Sequence, residues 1–500
     1  ININERIKEL ATLKVLGFYD DEVSAYIYRE NVILTFFGIV IGLVAGIFLN
    51  LAIVSVVDID TVQWTWKTMG RMKFNDYVLW FNTSNTTPGK GGAMFEVEFA
   101  THWLIEQYGL IAPDGVTQVR IMKDMGCNAI RTSHNMPAPE LVEACDEMGM
   151  MMMIEPFDVW NHGKTDNDYH VEFDTWWQRD ITNMVKLYRN NACVMMWSSG
   201  NEVWNQVLPD GIGLVTEIQA LFHQLDPTRP VTNGMDQAMH VIHNGFGAAV
   251  EIPGLNYRTG RYHEAYAHLP QKMILGSETA STVSSRGVYK RPAVIRDFAN
   301  YDDNQSSGYD LEYCPWSGLP EQDFQLQDDY DWTLGQFVWT GFDYLGEPSP
   351  YDTDAWPSHS SYFGIIDLAS LPKDRYWLYR SQWNEKDETL HLLPHWNWEK
   401  GDTVPVFCYT SYPEAELFVN GKSYGKLRHA TAEETERLKH GEVIDGVSAM
   451  PKVADFEVPV WGAAPMPELL PRYRLMWFDV PYEKGEIEVV AYDAQGKVAA

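Results

Sequence analysis

The sequence predicts an α/β fold: an eight-stranded parallel (β/α)8 barrel followed by a β-sandwich, with one transmembrane helix ahead of both. Three patterns carry that expectation. Between Cys127 and Thr340, short apolar runs that end in polar residues alternate with helical stretches. After about Asn384 the helical pattern stops and strand-like runs follow. Near the start, residues 31–57 form an uncharged apolar run of bilayer length.

That run, NVILTFFGIVIGLVAGIFLNLAIVSVV, lies too far from the start and behind too many acidic residues to be an ordinary signal peptide. Gly38, Gly42 and Gly46 recur every four residues and leave a smooth groove against which another membrane helix could pack. A buried helix of a soluble domain is the competing reading, and the mixed flanking charge fixes no orientation. The chain opens on Ile1 rather than Met, as a fragment or a processed product would. Residues 61–92 have no clear period, and NTSNTTPGKGG, Asn82 to Gly92, reads as a linker.

The barrel is expected over residues 93–384. CNAIRT, MMMIEPFD, VMMWSSGNE, RPVTNG, GLNY, MILGSE and GQFVWTGFD supply seven strands, with helical segments such as Ala138 to Met148 and Thr175 to Tyr188 between them. Runs this apolar suit strands buried on both faces, and their alternation with helices argues for parallel β/α units. The eighth strand, first in order, is assigned to AMFEVEFATH, Ala93 to His102. In residues 385–500, VPVFCYTS, AELFVNGKSYG, ADFEVPVW, YRLMWFDVPY and EIEVVAYDAQGK read as strands of an immunoglobulin-like sandwich. Asn420-Gly421 is a hairpin signal, and the last strand runs almost to Ala500, as it would if the natural chain continued.

Composition narrows the function. With 38 basic and 69 acidic residues the net charge is −31, which argues against nucleic acid or an anionic lipid surface as partner. The 19 Trp and 26 Tyr lean towards sugar faces, on which flat rings stack, although about half or more of such rings pack cores. Cys127, Cys145, Cys193, Cys314 and Cys408 are scattered without a C-x-x-C pair, so neither a zinc site nor a disulfide framework is expected. No metal-ligand cluster and no cofactor motif is evident.

In a parallel barrel the reactive groups stand at the carboxyl ends of strands, where the loops open into one mouth. VMMWSSGNE ends in Asn201 and Glu202, and MILGSE ends in Glu278. Cleavage of a glycosidic bond needs two carboxyl groups flanking the anomeric carbon, one to protonate the leaving oxygen and one to attack. Glu202 alone could be a surface glutamate. Glu278 alone could cap a following helix or pair with Arg286.

IRTSHNMPAPELVEACDEMG, EPFDVW, MMWSSGNEVW, ILGSETAS and GQFVWTGFDYLGEP, from about Val116 to the end, closely resemble glycoside hydrolase family 2, in particular its β-galactosidases. The resemblance implies a TIM barrel that hydrolyses terminal β-galactosides with retention of configuration and without a cofactor. It makes Glu202 the general acid/base and Glu278 the nucleophile, and gives Asn201 a hydrogen bond to the sugar 2-hydroxyl. Tyr257 matches the tyrosine that donates to the nucleophile; by spacing alone it is equally a core tyrosine. Arg131 matches the arginine that holds the nucleophile ionised, with His134 and Asn135 entering the mouth behind it, though His134 could merely tie down its loop. Trp339 matches the tryptophan under the sugar, a position that barrel packing would also explain. Asp158 faces the mouth without an assigned role. Neutral Glu202 would need a pKa raised by burial and by Glu278 beside it.

The family's usual jelly-roll and immunoglobulin-like domains ahead of the barrel are not found, and His102 only loosely takes the place of a family histidine. The segment ERIKELATLKVLGFYDDEVSAYIYREN resembles FtsX-like permeases over about residues 1–60. No second span accompanies it, so a working permease is not expected. A bacterial-type protein, membrane-anchored or extracytoplasmic, follows from the two resemblances. Competing readings are a β-glucuronidase or β-mannosidase of the same family, and an inactive barrel carried on a membrane-anchored fragment.

Overall fold

A computed structural model describes residues 115–297, 299, 301–344, 347, 361–454 and 464–500. Within them, β1 (Ala129–Thr132), β2 (Met151–Ile154), β3 (Val194–Asn201), β4 (Val231–Met235), β5 (Ile252–Asn256), β6 (Ile274–Thr279) and β7 (Thr333–Val338) form one parallel sheet in chain order. These are the seven strands expected from the sequence. The first and last also contact each other, so the sheet curls into a nearly closed barrel. The eighth strand assigned to Ala93–His102 lies outside the described residues. So do residues 31–57; among the described residues no helix is long and apolar enough to cross a membrane.

The helices between strands owe their existence to one apolar stripe each. In α1 (His170–Tyr188) the buried residues Phe173, Trp177, Ile181, Met184, Val185 and Tyr188 recur at the helical period. In α2 (Gly211–Leu225), Val215, Ile218 and Phe222 do the same, and Phe222 stacks on Trp197 of β3 at 5.9 Å. These stripes cover the outside of the barrel.

The inside follows from strand alternation. Met153, Met196, Ile252 and Leu275, with Phe337 against them, fill the lower interior. Each fully buried side chain of this size contributes about 1.5–3 kcal/mol. Two residues further along β2 the same face carries Glu155, and along β3 it carries Ser198, so an apolar floor gives way to a polar upper layer. Register then slips near the mouth, between Ser198 and Asn201 on β3 and between Gly276 and Thr279 on β6. Such bulges re-aim side chains; here they bring Asn201 and Glu278 into the barrel.

The C-terminal part pairs two three-stranded antiparallel sheets. One orders Leu390–Leu393, Thr403–Thr410 and Leu475–Pro481; the other orders Lys422–Arg428, Glu414–Val419 and Ile487–Tyr492. Val406, Cys408, Leu417, Val419 and Leu475 share the core between them. The Asn420-Gly421 turn has both residues at positive φ, 49° and 77°, and closes the Val419–Lys422 pair as expected. ADFEVPVW falls almost wholly outside the described residues. One expectation is corrected: the helical pattern does not stop at Asn384, because Ala432–Lys439 is a helix capped by Thr431 and Glu434. Its N-terminal T-x-x-E box satisfies donors at both ends of the pair. Against the barrel, Arg474 is fully buried and donates to Glu321, to Tyr309 O at 3.0 Å and to Asp310 O at 3.1 Å.

Candidate active site

The strand ends converge on a cavity of about 240 Å³ lined by His134, Glu202, Asp236, Tyr257, Arg258, Glu278, Ser281, Trp316, Trp339 and Glu347. Glu202, Glu278, His134, Tyr257 and Trp339 line this cavity, and Arg131, Asp158 and Asn201 bond to the network behind it. Asn135 is half-buried on the loop after β1 and is not part of the lining.

Arg131, at the end of β1, is the hinge of the network. Its Nη1 donates to Glu278 Oε1 at 2.8 Å and to Ser277 O at 2.8 Å; its Nη2 reaches Glu155 Oε2 at 2.8 Å and Asn201 Oδ1 at 2.9 Å. Glu278 receives a second donor, the Tyr257 hydroxyl, on Oε2 at 2.5 Å. The core-tyrosine alternative for Tyr257 therefore falls away. Arg286 instead pairs with Asp367 at 2.5 Å, and the next element after Glu278 is a strand, Val294–Asp297, so neither the pairing nor the helix-cap alternative for Glu278 holds.

Glu202 is held differently. Its backbone N–H bonds Gly234 O at 2.7 Å, and its Oε1 accepts one hydrogen bond, from Asn256 Nδ2 at 2.9 Å. Glu202 and Tyr257 both sit at positive φ, 44° and 58°, a left-handed conformation that non-glycine residues adopt uncommonly.

Asn201 is fully buried and saturated. Its Oδ1 accepts from Arg131 and Asn256, and its Nδ2 lies 3.1 Å from Asp158 Oδ1 and 3.3 Å from His134 Nε2. Asp158 also accepts from Lys164 Nζ at 2.7 Å. His134 bonds Glu155 Oε1 through Nδ1 at 2.6 Å, and its Nε2 stands 3.5 Å from Glu278. Its ring lies parallel to Trp339 with centroids 5.5 Å apart, so it does more than tie down its loop. Trp339 in turn donates to Tyr344 at 3.1 Å.

Glu155, Lys164, Asp236, Arg258 and Trp316 were not singled out in the sequence. Glu155 is the anchor of the group: fully buried, it accepts from Arg131, His134 and Ser198. Burial pushes its carboxyl up, but these partners outweigh burial and hold it at about 2. Its signal in the sequence is its place at the end of the apolar run MMMI, just before Asp158.

Both central carboxyls are pushed above the ordinary range. For Glu202 the causes are burial first and then the charge of Asp236, opposed by Lys164, Asn256 and His134. Asp236 thus adds to the expected charge of Glu278, whose repulsion of Glu202 is mutual. For Glu278, burial outweighs the pull of Arg131, His134 and Tyr257, and Glu202 adds to the rise. Arg131 thus lowers the carboxyl's proton affinity as expected without bringing it below the usual value. Two such acids cannot both ionise freely, and the pair titrates as a unit. Donor count separates them: Glu278 has a guanidinium and a phenol on its two oxygens, Glu202 one neutral amide. The arrangement favours the anion at Glu278 and the proton at Glu202. His134 is raised as well, because its bond to Glu155 and the surrounding acids outweigh the effect of burial. Among the described residues no group of three or more His, Cys, Asp or Glu forms a metal site.

Residues 109–354 match the family model of the TIM barrel domain of glycosyl hydrolases family 2. Residues 1–82 match the FtsX-like permease C-terminal model, past the boundary expected near residue 60, and residues 401–449 and 452–500 match a domain of unknown function, DUF4982. The β-galactosidase BoGH2A of Bacteroides ovatus is 38% identical over 350 residues, covering 62% of this chain and 41% of that protein. A putative β-glucuronidase of Formosa agariphila is 30% identical over 416 residues, 76% of this chain and 34% of its own length. Among solved structures, a β-glycosidase from Bacteroides vulgatus aligns with a TM-score of 0.59 and 32% identity over 77% of this chain and 46% of that one. The chain spans less than half the length of each of these relatives.

Proposed function

Because its barrel belongs to glycosyl hydrolase family 2, we propose that the chain is a retaining exo-β-glycosidase acting on terminal β-galactosides, with Glu278 as nucleophile and Glu202 as acid/base. The observation that carries this reading is the asymmetry of the two carboxyls around one cavity, Glu278 between Arg131 and Tyr257 and Glu202 with a single neutral donor. Glu278 attacks the anomeric carbon while Glu202 gives its proton to the leaving oxygen. Water then displaces the sugar from Glu278, with Glu202 taking the water's proton. The cavity is smaller than the roughly 300–1,000 Å³ of pockets that enclose drug-sized ligands, which suits one sugar ring and hence exo action. Trp339, backed by His134, offers that ring a flat apolar surface.

A glucuronide is the second reading, favoured by the name of the Formosa agariphila relative. It would bring a carboxylate into a wall that already carries Glu202, Asp236, Glu278 and Glu347. Arg258, which also lines it, is engaged with Asp236 and Trp316. A neutral sugar avoids that repulsion. The FtsX-like match and the uncharged run at 31–57 support anchoring in a bilayer. Hydrolysis of a panel of aryl β-galactosides, β-glucuronides and β-mannosides tests the assignment: galactoside cleavage is expected, abolished by Glu278→Gln. Cleavage of none, or full activity in Glu278→Gln, refutes it. Recovery of the intact chain in the membrane fraction tests the anchor, and solubility without detergent refutes it.

A further inference from the structure

We infer that Asp236 is the positioning residue that keeps the leaving-group proton on Glu202, an inference that rests on the acid/base assignment proposed above.

The geometry begins at adjacent strand ends. Glu202 follows β3 and its N–H is bonded to Gly234 of β4; Asp236 follows β4 two residues later, and both side chains face the same cavity. Asp236 is fixed by Gln206 Nε2 on Oδ1 at 2.7 Å and by Gln237 Nε2 on Oδ2, both neutral amides. Arg258 holds the backbone, donating from Nε to Asp236 O at 2.7 Å and from Nη1 to Trp316 O at 2.9 Å, while its Nη2 stays 4.0 Å from the carboxylate. The Asp236 carboxylate is thus held by two neutral amides, with its ion pair to Arg258 stretched to 4.0 Å, longer than the 2.8 Å pair between Glu278 and Arg131.

The other groups facing Glu202 oppose this work or do less of it. Lys164, from the loop after β2, is a cation and opposes it, with part of its charge taken by Asp158 at 2.7 Å. Glu278, after β6, is compensated by Arg131 at 2.8 Å, and Tyr257, after β5, donates to Glu278. His134, after β1, is bonded to Glu155. Asn256 contributes only a neutral donor, and Glu347, which lines the same cavity, accepts from the Tyr344 hydroxyl. Asp236 is therefore the neighbouring charge best placed to oppose ionisation of Glu202, and it stands with burial as the reason that carboxyl titrates high.

The test is the pH dependence of kcat/KM for the full chain in detergent, with whichever aryl β-glycoside the parent hydrolyses. Asp236→Asn keeps the shape and removes the charge. It is expected to move the alkaline limb to lower pH, so that the loss relative to parent is on the order of tenfold greater on the alkaline side than on the acidic side. Asp236→Glu, which restores the charge, returns the limb towards its parental position. A glycoside with a 2,4-dinitrophenyl leaving group, which departs without a proton, shows little of the alkaline loss. An unmoved limb, or an equal loss at all pH values with a raised KM, overturns the inference and makes Asp236 a sugar-binding or structural group. A parent that hydrolyses no glycoside refutes the proposed activity instead.

Discussion

Replacing Glu155 by Gln removes the one carboxylate that touches neither the cavity nor solvent yet bonds Arg131, His134 and Ser198 together. Its magnitude can be worked in two ways. Breaking a buried ion pair by neutralising one partner costs about 3–5 kcal/mol; the Gln oxygen keeps one bond and Glu278 still pairs with Arg131, which points to the low end, about 3. Independently, a carboxyl moved from 4.5 to about 2 contributes about 3 kcal/mol at pH 7. The sign follows from the lowered value: the contribution is full above the unfolded pKa near 4.5 and is lost as pH falls through about 2. Near pH 3 only about 1 kcal/mol should remain. Urea unfolding of parent and Glu155→Gln at pH 7 and pH 3 measures this, provided both transitions are two-state. A difference under about 1 kcal/mol at pH 7, or one that does not shrink at pH 3, would refute the view that charge at Glu155 holds the network together.

Tyr257→Phe deletes the 2.5 Å donor to Glu278 and should lower kcat/KM by about 10- to 100-fold, since a hydrogen bond to a charged group is worth about 1.5–3 kcal/mol. Steady-state kinetics decides; parental values would mean the bond is absent during turnover. Gly234→Ala places a methyl group 3.0 Å from both Arg131 Nη2 and Asn201 Oδ1. Both atoms are hydrogen-bonded and cannot shift without straining those bonds, so a drop in kcat/KM of about tenfold is expected with the fold kept, read by kinetics alongside circular dichroism. Lys164→Met removes a cation that lowers the proton affinity of Glu202. The alkaline limb of the kcat/KM profile should then move to higher pH, and a move the other way would exclude that role.

How far the sequence reached depends on what each feature requires. The seven strands were legible because a strand covered on both faces must be apolar throughout, and VMMW or MMMI has few other uses. Glu202 and Glu278 were legible because a carboxyl terminating such a run sits where a barrel opens. The network behind them was less so. Arg131 meets Glu155, Asn201 and Glu278 across separations of 24, 70 and 147 residues, and only the closed fold brings them together. Asp236 and Arg258 carry no signal in the sequence for the same reason. The helix at Ala432–Lys439 was missed for a different one: it is short and mostly polar, so its apolar stripe is thin, although the T-x-x-E box that starts it was in plain view.

The conformations of Glu202 and Tyr257 belong to what no residue pattern announces. A non-glycine residue at positive φ costs about 1–3 kcal/mol, and here two occur at adjoining points of one cavity. Their surroundings hold them there. Glu202 is tied through its N–H to Gly234 and through its carboxyl to Asn256; Tyr257 is tied through its N–H to Glu278 O at 2.8 Å and through its hydroxyl to the same residue's carboxyl. The bonds that hold the strained backbone are therefore also the bonds that orient the two carboxyl groups. A substitution that relaxes one should disturb the other, which is why Tyr257→Phe is expected to lower turnover even though the ring still fills its place.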